Sequence, residues 1–391
     1  MDMLNEAQKL KEELISWRRR IHRQPELGFD VYQTAELVSR TLSDLGIEAQ
    51  SGVGKTGVVA YLGDGEGPTI AIRADMDALP IQEANPVDYA SQVPGCMHAC
   101  GHDAHTAILL GVATLLCRED LPGQVRLIFQ PSEEVADEEG ISGAPRMIED
   151  GALDGVDAVI ALHVDGTLDT GDICIEDGWV GAAVDTFRAD IIGKGGHAAY
   201  PHEVIDPIWL TSQVLNSLYA IPSRHVAPLE PSVVSVGVLQ GGSADNVIPE
   251  SVHLEGTLRS FADEVREQLI REVEAAMSLA RTFGGDFRLD IERGYPATYN
   301  DPGVAGWLRH IGVDILGEEH VCSEQKTMGA EDFSFMTRLA KGAMLGLGVK
   351  PPGATARYLH TATFDLDEKA LPIGAAILAE TARQFLHGKL S

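Results

Sequence analysis

Short β-rich runs alternate with a helical segment between Val58 and His163, and this rhythm limits the folds that the chain can adopt. The region is predicted to form four strands and one helix, at Gly57–Leu62, Thr69–Arg73, Ala104–Leu116 (the helix), Gln124–Phe129 and Asp157–Leu162. Alternation of this kind is typical of an α/β domain with a mixed, mostly parallel sheet that is sandwiched by helices.

The pattern changes near Val184. The next segments spell β-α-β-β-α-β, a ferredoxin-like order, at Val184–Ile192, Pro207–Ala220, Val233–Leu239, Val252–Leu258, Ala262–Arg281 and Phe287–Glu292. After Tyr295 the first rhythm resumes with a strand at Ala343–Leu347 and a closing helix at Leu371–Phe385. A chain of 391 residues exceeds one ordinary core. We therefore expect an α/β domain of residues 1–182 and 295–391, interrupted by an α+β domain of residues 183–294. A three-domain division is the alternative, although the tail is short for an independent core.

Acidic residues and a histidine follow three of the predicted strands. Asp75 and Asp77 come after the second strand, the pair Glu133-Glu134 follows the strand that ends at Phe129, and His163 ends an apolar run. Sites in open α/β sheets form outside the carboxyl ends of the strands. These side chains are therefore expected to face one crevice.

The segment Met97–Thr106 combines a thiol with several imidazoles directly before the helical apolar run. Cys100 and His102 are two residues apart at the helix entrance, where the helix dipole is expected to lower the thiol pKa. Cys and His are preferred zinc ligands. A lone Cys-x-His is weak evidence, because a Cys at a helix start is often a small buried hydrophobe.

Further donors elsewhere in the chain strengthen the metal hypothesis. Adjacent glutamates are often a solvated surface pair, and a lone histidine such as His163 or His360 is more often a satisfied core residue. Here Glu133-Glu134 end a strand that reads as buried. Together the donors offer thiolate, imidazole and carboxylate, a mixture that suits two zinc, manganese or similar ions.

Composition excludes several function classes. The net charge of −29 argues against nucleic acid and against anionic membrane surfaces as partners. No apolar stretch approaches the roughly 20 residues that span a bilayer, and the first residues do not read as a signal peptide. The five scattered cysteines predict reduced thiols and a cytoplasmic location.

Seven segments resemble the dinuclear metallo-amidohydrolases that include bacterial aminoacylases, hippurate hydrolases, thermophilic carboxypeptidases and plant auxin-conjugate hydrolases. The matching segments, which occur in the family's order, are residues 73–80, 97–106, 129–134, 161–164, 193–202, 328–333 and 359–361. The resemblance covers residues 22 to about 380. It implies a zinc-exopeptidase-like fold with an inserted lid or dimerisation domain, and a homodimer or homotetramer.

The resemblance also implies roles for individual residues. Those implied to ligate two divalent ions (zinc, manganese, cobalt or nickel) are Cys100, His102, Glu134, His163 and His360, with Cys100 bridging. Glu133 would be the general base, and His197 a lid histidine that reaches the oxyanion, often from the partner subunit. Asn246 and Arg259 would hold the substrate carboxylate, a task for which the bidentate Arg fork is suited. The alternative interpretation of His197, Asn246 and Arg259 is that each is a turn or surface residue without a role in catalysis.

Two departures from the family pattern lie beside the predicted site. Asp165-Gly166 stands where the family often has an aromatic residue and Pro, and the acidic stretch 135–142 looks like an insertion. They leave the metal chemistry intact but affect the substrate pocket.

The leading hypothesis is a hydrolase of amide bonds in N-acyl amino acids or short peptides that releases a free amino acid. A divalent ion lowers the pKa of a bound water from about 15.7 to about 7, and Glu133 would carry the proton to the leaving amine. A dipeptidase or carboxypeptidase proper is the alternative within the same chemistry. An inactive metal-binding protein is the non-enzymatic alternative, which the presence of Glu133 disfavours.

Overall fold

The computed structural model describes residues 2–63, 65–324 and 326–390. Its α-helices are α1 (Met3–Lys9), α2 (Lys11–Arg23), α3 (Tyr32–Asp44), α4 (His102–Leu116), α5 (Gly143–Glu149), α6 (Pro207–Arg224), α7 (Asp263–Met277), α8 (Leu279–Thr282), α9 (Pro302–Leu316), α10 (Phe333–Thr337) and α11 (Leu371–Leu386). Its strands are β1 (Glu48–Val53), β2 (Gly57–Leu62), β3 (Thr69–Asp75), β4 (Gln124–Gln130), β5 (Ala158–Asp169), β6 (Ile173–Cys174), β7 (Gly178–Gly181), β8 (Ala183–Ile192), β9 (Gly196–His197), β10 (Ser232–Gly241), β11 (Val247–Ile248), β12 (Ser251–Ser260), β13 (Asp286–Arg293), β14 (Thr298–Asn300), β15 (Val321–Cys322) and β16 (Lys341–Lys350). Short 3₁₀ helices lie at Pro201–Glu203, Glu318–His320 and Glu368–Ala370.

The chain forms two compact units. The first comprises Met1–Gly178, Tyr299–Gln325 and Phe335–Ser391, and the second comprises Trp179–Thr298 and Lys326–Ser334. This division does not test whether the second unit acts as a lid or a dimer surface, which stays a prediction.

The first unit contains an eight-stranded sheet with the order β1-β2-β4-β3-β5-β16-β6-β15. Its centre is parallel, since β4, β3, β5 and β16 are neighbours that run in one direction. The prediction of a mostly parallel sheet flanked by helices is therefore confirmed. Strand β3 is buried along its whole length, as expected for a central parallel strand that is covered on both faces.

Helix α4 is the central helix of this unit. Nearly every residue from His102 to Leu116 is buried, because the helix packs against β3 as well as α2 and α11. An apolar surface all around a helix is typical of such a core position. The N-terminal end of α4, which carries His102, is therefore fixed by the packing of the whole unit.

The second unit contains an antiparallel four-stranded sheet with the order β10-β12-β8-β13. Helices α6 and α7 contribute buried apolar residues to its core, among them Leu210, Leu218, Leu269 and Val273. The order β8-α6-β10-β12-α7-β13 and this strand arrangement confirm the predicted ferredoxin-like topology. A short β9–β11 ladder is added to it.

One feature of the first unit bears on the expectation about the cysteines. The prediction that all cysteines are reduced is wrong for Cys174 and Cys322, which form a disulfide. The physical reason is long-range pairing, because β15 and β6 are parallel neighbours in which these two residues are directly opposite. No helix in the described part of the chain is long and apolar enough to cross a membrane.

Candidate metal centre

Three neighbouring parallel strands bring the candidate residues together. Strand β3 leads into Asp77, and the adjacent β4 leads into Glu133 and Glu134. On the other side of β3 lies β5, which carries His163. The prediction that His163 follows the end of its strand is wrong, since β5 continues to Asp169 through pairing with β16.

Two sets of potential ligand atoms share one thiol. Cys100, His102 and His163 form one set, and Cys100, Glu134 and His360 form the other. Within each set the ligand atoms lie within 4.8 Å of one another. Because Cys100 belongs to both sets, its sulfur would be available to both ions if each set held one. Glu133 belongs to a third, overlapping group with His102 and Glu134.

The histidines are oriented through their Nδ1 atoms. His102 Nδ1 donates to the carbonyl oxygen of Asp77 at 2.8 Å, and His163 Nδ1 donates to the carbonyl oxygen of Val164 at 2.9 Å. These bonds direct Nε2 of each ring inward, and His163 Nε2 lies 3.5 Å from Cys100 Sγ. Backbone acceptors that fix the tautomer in this way are typical partners of metal-ligating histidines.

Two buried atoms at the centre fit a site for a divalent cation. His102 Nε2 and Glu134 Oε1 are buried without a well-formed hydrogen bond to any described residue. They lie 3.9 Å apart, and Glu134 Oε1 is 3.2 Å from His360 Nε2. Buried polar atoms without partners are rare and costly. The donor set of thiol, imidazole and carboxylate fits divalent ions of the zinc or manganese type.

The electric field of the site favours positive charge. Burial opposes protonation of His102, yet the carboxylates of Asp75, Asp77 and Glu134 raise its pKa to about 10. The prediction of a lowered thiol pKa is wrong for the metal-free chain, because burial and the nearby Glu134, Glu133 and Asp75 raise the pKa of Cys100. These acids outweigh the helix end. A bound cation reverses this, since a coordinating thiol is deprotonated.

Asp77 has a positioning role that its place after a strand does not by itself indicate. Its Oδ1 accepts the backbone N–H of Glu133 at 3.0 Å and its Oδ2 accepts that of Glu134 at 3.1 Å. Its carbonyl oxygen also accepts from His102. One buried residue therefore positions both glutamates and a predicted ligand.

His105 lies beside the site without being available as a ligand. Its Nε2 accepts the backbone N–H of Val164 at 3.0 Å, so its Nδ1 donates to Asp75 Oδ1 at 2.6 Å. Burial lowers the pKa of His105 to about 4, which keeps the ring neutral. The sequence signal for this residue was its place in the His-rich segment, which could not reveal that both nitrogens are bonded.

The three predicted residues of the second unit fall into two groups. His197 on β9 is paired with Val247, and Ala198 N–H donates to the carbonyl of Asn246 at 3.1 Å. His197 and Asn246 are thus neighbours near the Ser251 end of β12. Arg259 is eight residues further along β12, which corresponds to about 26 Å of strand. Its Nη1 donates to Thr257 Oγ1 at 2.7 Å.

Comparison with known proteins identifies the family of this chain. Residues 71–384 match Peptidase family M20/M25/M40. The thermostable carboxypeptidase 2 of Saccharolobus solfataricus is 38% identical over 388 residues, 97% of each chain. The IAA-amino acid hydrolase ILR1-like 4 of Arabidopsis thaliana is 40% identical over 381 residues, 95% of this chain and 86% of that protein.

A solved structure is similar over nearly the whole chain. It is a dinuclear metal-binding M20 peptidase from Bacillus subtilis, with a TM-score of 0.84 and 34% identity, covering 97% of this chain and 99% of that one. The chain belongs to the M20 family of metal-dependent hydrolases. The family and the donor sets together support two divalent metal ions.

Proposed function

We propose that this protein hydrolyses the amide bond of N-acyl amino acids or short peptides and releases a free amino acid. The observation that carries the proposal is the pair of donor sets that share Cys100, with Glu133 beside them. We assign Cys100, His102, Glu134, His163 and His360 as the metal ligands and Glu133 as the general base.

Glu133 has the surroundings that a general base needs. It is buried, its backbone is fixed by Asp77, and it lies next to a predicted ligand. Two divalent ions would supply polarisation of the scissile carbonyl and easier ionisation of water. Glu133 takes a proton from the attacking water as the C–O bond forms, and delivers it to the amine nitrogen as the C–N bond breaks. Such transfer typically contributes about 10²–10⁴-fold to the rate.

The second unit is proposed to bind the substrate. Arg259 is half-buried, and burial lowers its pKa without a carboxylate partner in hydrogen-bond contact among the described residues. A buried guanidinium of this kind suits a substrate carboxylate. Since His197 and Asn246 lie near the Ser251 end of β12, eight residues from Arg259, we propose that a homodimer brings His197 of one subunit to the oxyanion of the other.

A carboxypeptidase is the second candidate, favoured by the likeness to thermostable carboxypeptidase 2. The two candidates differ in the substrate group on the acyl side of the scissile amide, which is a simple acyl group in an N-acyl amino acid and a peptide in a carboxypeptidase substrate. The donor set accommodates zinc, manganese, cobalt or nickel. The cytoplasmic location stays a prediction.

A hydrolysis panel tests the proposal. Purified protein would be assayed on N-acetyl amino acids, hippurate and dipeptides, after chelation and after addition of each metal. We expect activity that chelation abolishes and metal restores. Glu133→Gln should keep two ions and lose most turnover, whereas Glu134→Ala should lose metal. Full turnover in Glu133→Gln would refute the base, and normal metal content in Glu134→Ala would show that the two glutamates are exchanged.

A further inference from the structure

The segment that carries His360 crosses β5 at a single glycine. The N–H of Arg357 donates to the carbonyl oxygen of Gly166 at 3.0 Å. A Cβ atom on Gly166 would lie 1.9 Å from the carbonyl oxygen of Arg357 and 3.4 Å from the ring of Phe364. Real Cβ contacts do not reach such a distance, so any side chain here forces the Arg357 backbone away.

The same segment has little freedom between Gly166 and the candidate metal centre. Three residues after Arg357, the N–H of His360 donates to the carbonyl of Ala99 at 2.8 Å, directly before Cys100. His360 adopts a positive φ of 59°, a conformation that L residues rarely take. The backbone of residues 357–360 is thus held at both ends, by Gly166 at Arg357 and by Ala99 at His360. The hydrogen bond to Ala99 places His360 next to Glu134.

Phe364 couples this crossing to the helix entrance. Its buried ring lies against Gly166, and a Cβ on Gly101 would be 3.6 Å from the same ring. Gly101 has a positive φ of 86° and precedes His102. One aromatic ring therefore lies next to both β5 and the start of α4.

We propose that Gly166 is a positioning residue that sets the location of His360. It thereby keeps His360 close enough to Cys100 and Glu134 for the three side chains to hold one ion. The inference rests on the proposed metal site. It predicts that a side chain at position 166 weakens the binding of only one of the two ions. The Cys100–His102–His163 set contains no residue of the segment that crosses β5, so its ion should bind normally. Changes in residues that support metal ligands typically cost about 10–100-fold in metal affinity.

The test is metal titration of the metal-free protein by calorimetry, with zinc as the probe. Wild type should bind two equivalents. Gly166→Ala should keep one equivalent at wild-type affinity and bind the second about tenfold or more weakly. Gly306→Ala in α9 is the matched control, since a Cβ there meets nothing within 4 Å, and it should bind as wild type.

A double-mutant cycle separates positioning from general damage. His360→Ala should also weaken the second ion, and Gly166→Ala added to it should have no further effect on zinc binding. Additive losses would overturn the inference, as would unchanged binding in Gly166→Ala. Wild type that binds fewer than two ions would overturn the metal site and this inference with it, whatever the variants do.

Arg357 provides a second route if Gly166→Ala does not fold. Arg357→Pro replaces the N–H that donates to Gly166 by the proline ring Cδ, which breaks this hydrogen bond and crowds the Gly166 carbonyl, so it should weaken binding of the second ion. Arg357→Ala keeps that N–H but loses the ion pair with Asp365, so it should bind both ions normally. Equal zinc binding in the two Arg357 variants would overturn the inference.

Discussion

The carboxylate of Asp77 accepts the backbone N–H of Glu133 at 3.0 Å, and both residues are buried. The other carboxylate oxygen accepts the N–H of Glu134. One side chain thus sets the spacing between the proposed base and a proposed ligand. The strand ends of β3 and β4 are fixed relative to each other by this contact.

Asp77→Asn should reduce kcat while the protein stays folded. The amide NH₂ of Asn cannot accept a hydrogen bond, so the backbone N–H of either Glu133 or Glu134 would lose its acceptor. Hydrogen bonds to a charged group contribute about 1.5–3 kcal/mol, which corresponds to about one to two decades in rate. Steady-state kinetics, with metal content measured in parallel, checks this. Asp120→Asn removes an exposed carboxylate that precedes β4, at the end of the strand opposite to Glu133, and should have no effect. A wild-type kcat in Asp77→Asn would show that this contact does not position Glu133.

Arg259→Ala tests the substrate class. Loss of a charge-assisted pair with the substrate carboxylate should lower kcat/KM by about one to two decades. The loss should be large for N-acyl amino acids and small for the matching carboxamides, which have no charge. Arg188 is an exposed arginine on the neighbouring strand β8. Its replacement by Ala should change kcat/KM for neither the acids nor the carboxamides. Equal losses on acid and amide would remove Arg259 from carboxylate recognition.

Subunit mixing tests whether His197 acts on the partner's site. Glu133→Gln and His197→Ala should each be inactive alone. Mixed at equal amounts and allowed to exchange, they should recover roughly a quarter of wild-type activity, because half of the dimers are mixed and each has one intact site. Sedimentation would verify the dimers. No recovery despite verified mixed dimers would mean that His197 acts within its own chain or not at all.

The Cys174–Cys322 disulfide should be chemically detectable and stabilising. Alkylation of the denatured, unreduced protein should modify Cys96, Cys100 and Cys117, and reduction should expose the other two. Replacing both Cys174 and Cys322 by Ser should lower the free energy of unfolding by about 2–4 kcal/mol, measured by urea denaturation. Cys117→Ser is the control. Five reactive thiols before reduction would show that the bond does not form, as expected in a reducing cytoplasm.

Much of the fold could be predicted because local patterns of apolar and β-favouring residues indicate its helices and strands. The strands at Gly57–Leu62 and the order of the second unit follow from β-rich runs and turn residues that are close in sequence. The end of β5 could not be predicted this way. Its extension beyond His163 depends on pairing with β16, which lies far along the chain.

The sequence by itself determined which donors the chain offers, because thiol, imidazole and carboxylate are properties of residue type. Tertiary structure decided how those donors combine. Only the folded chain makes Cys100 common to two sets, engages both nitrogens of His105 in hydrogen bonds, and places His197 and Arg259 in different sheets of the second unit. The physical reason is that these relationships join residues far apart in sequence. Their distances are set by strand register and by close backbone contacts, as at Gly166, which no local pattern encodes.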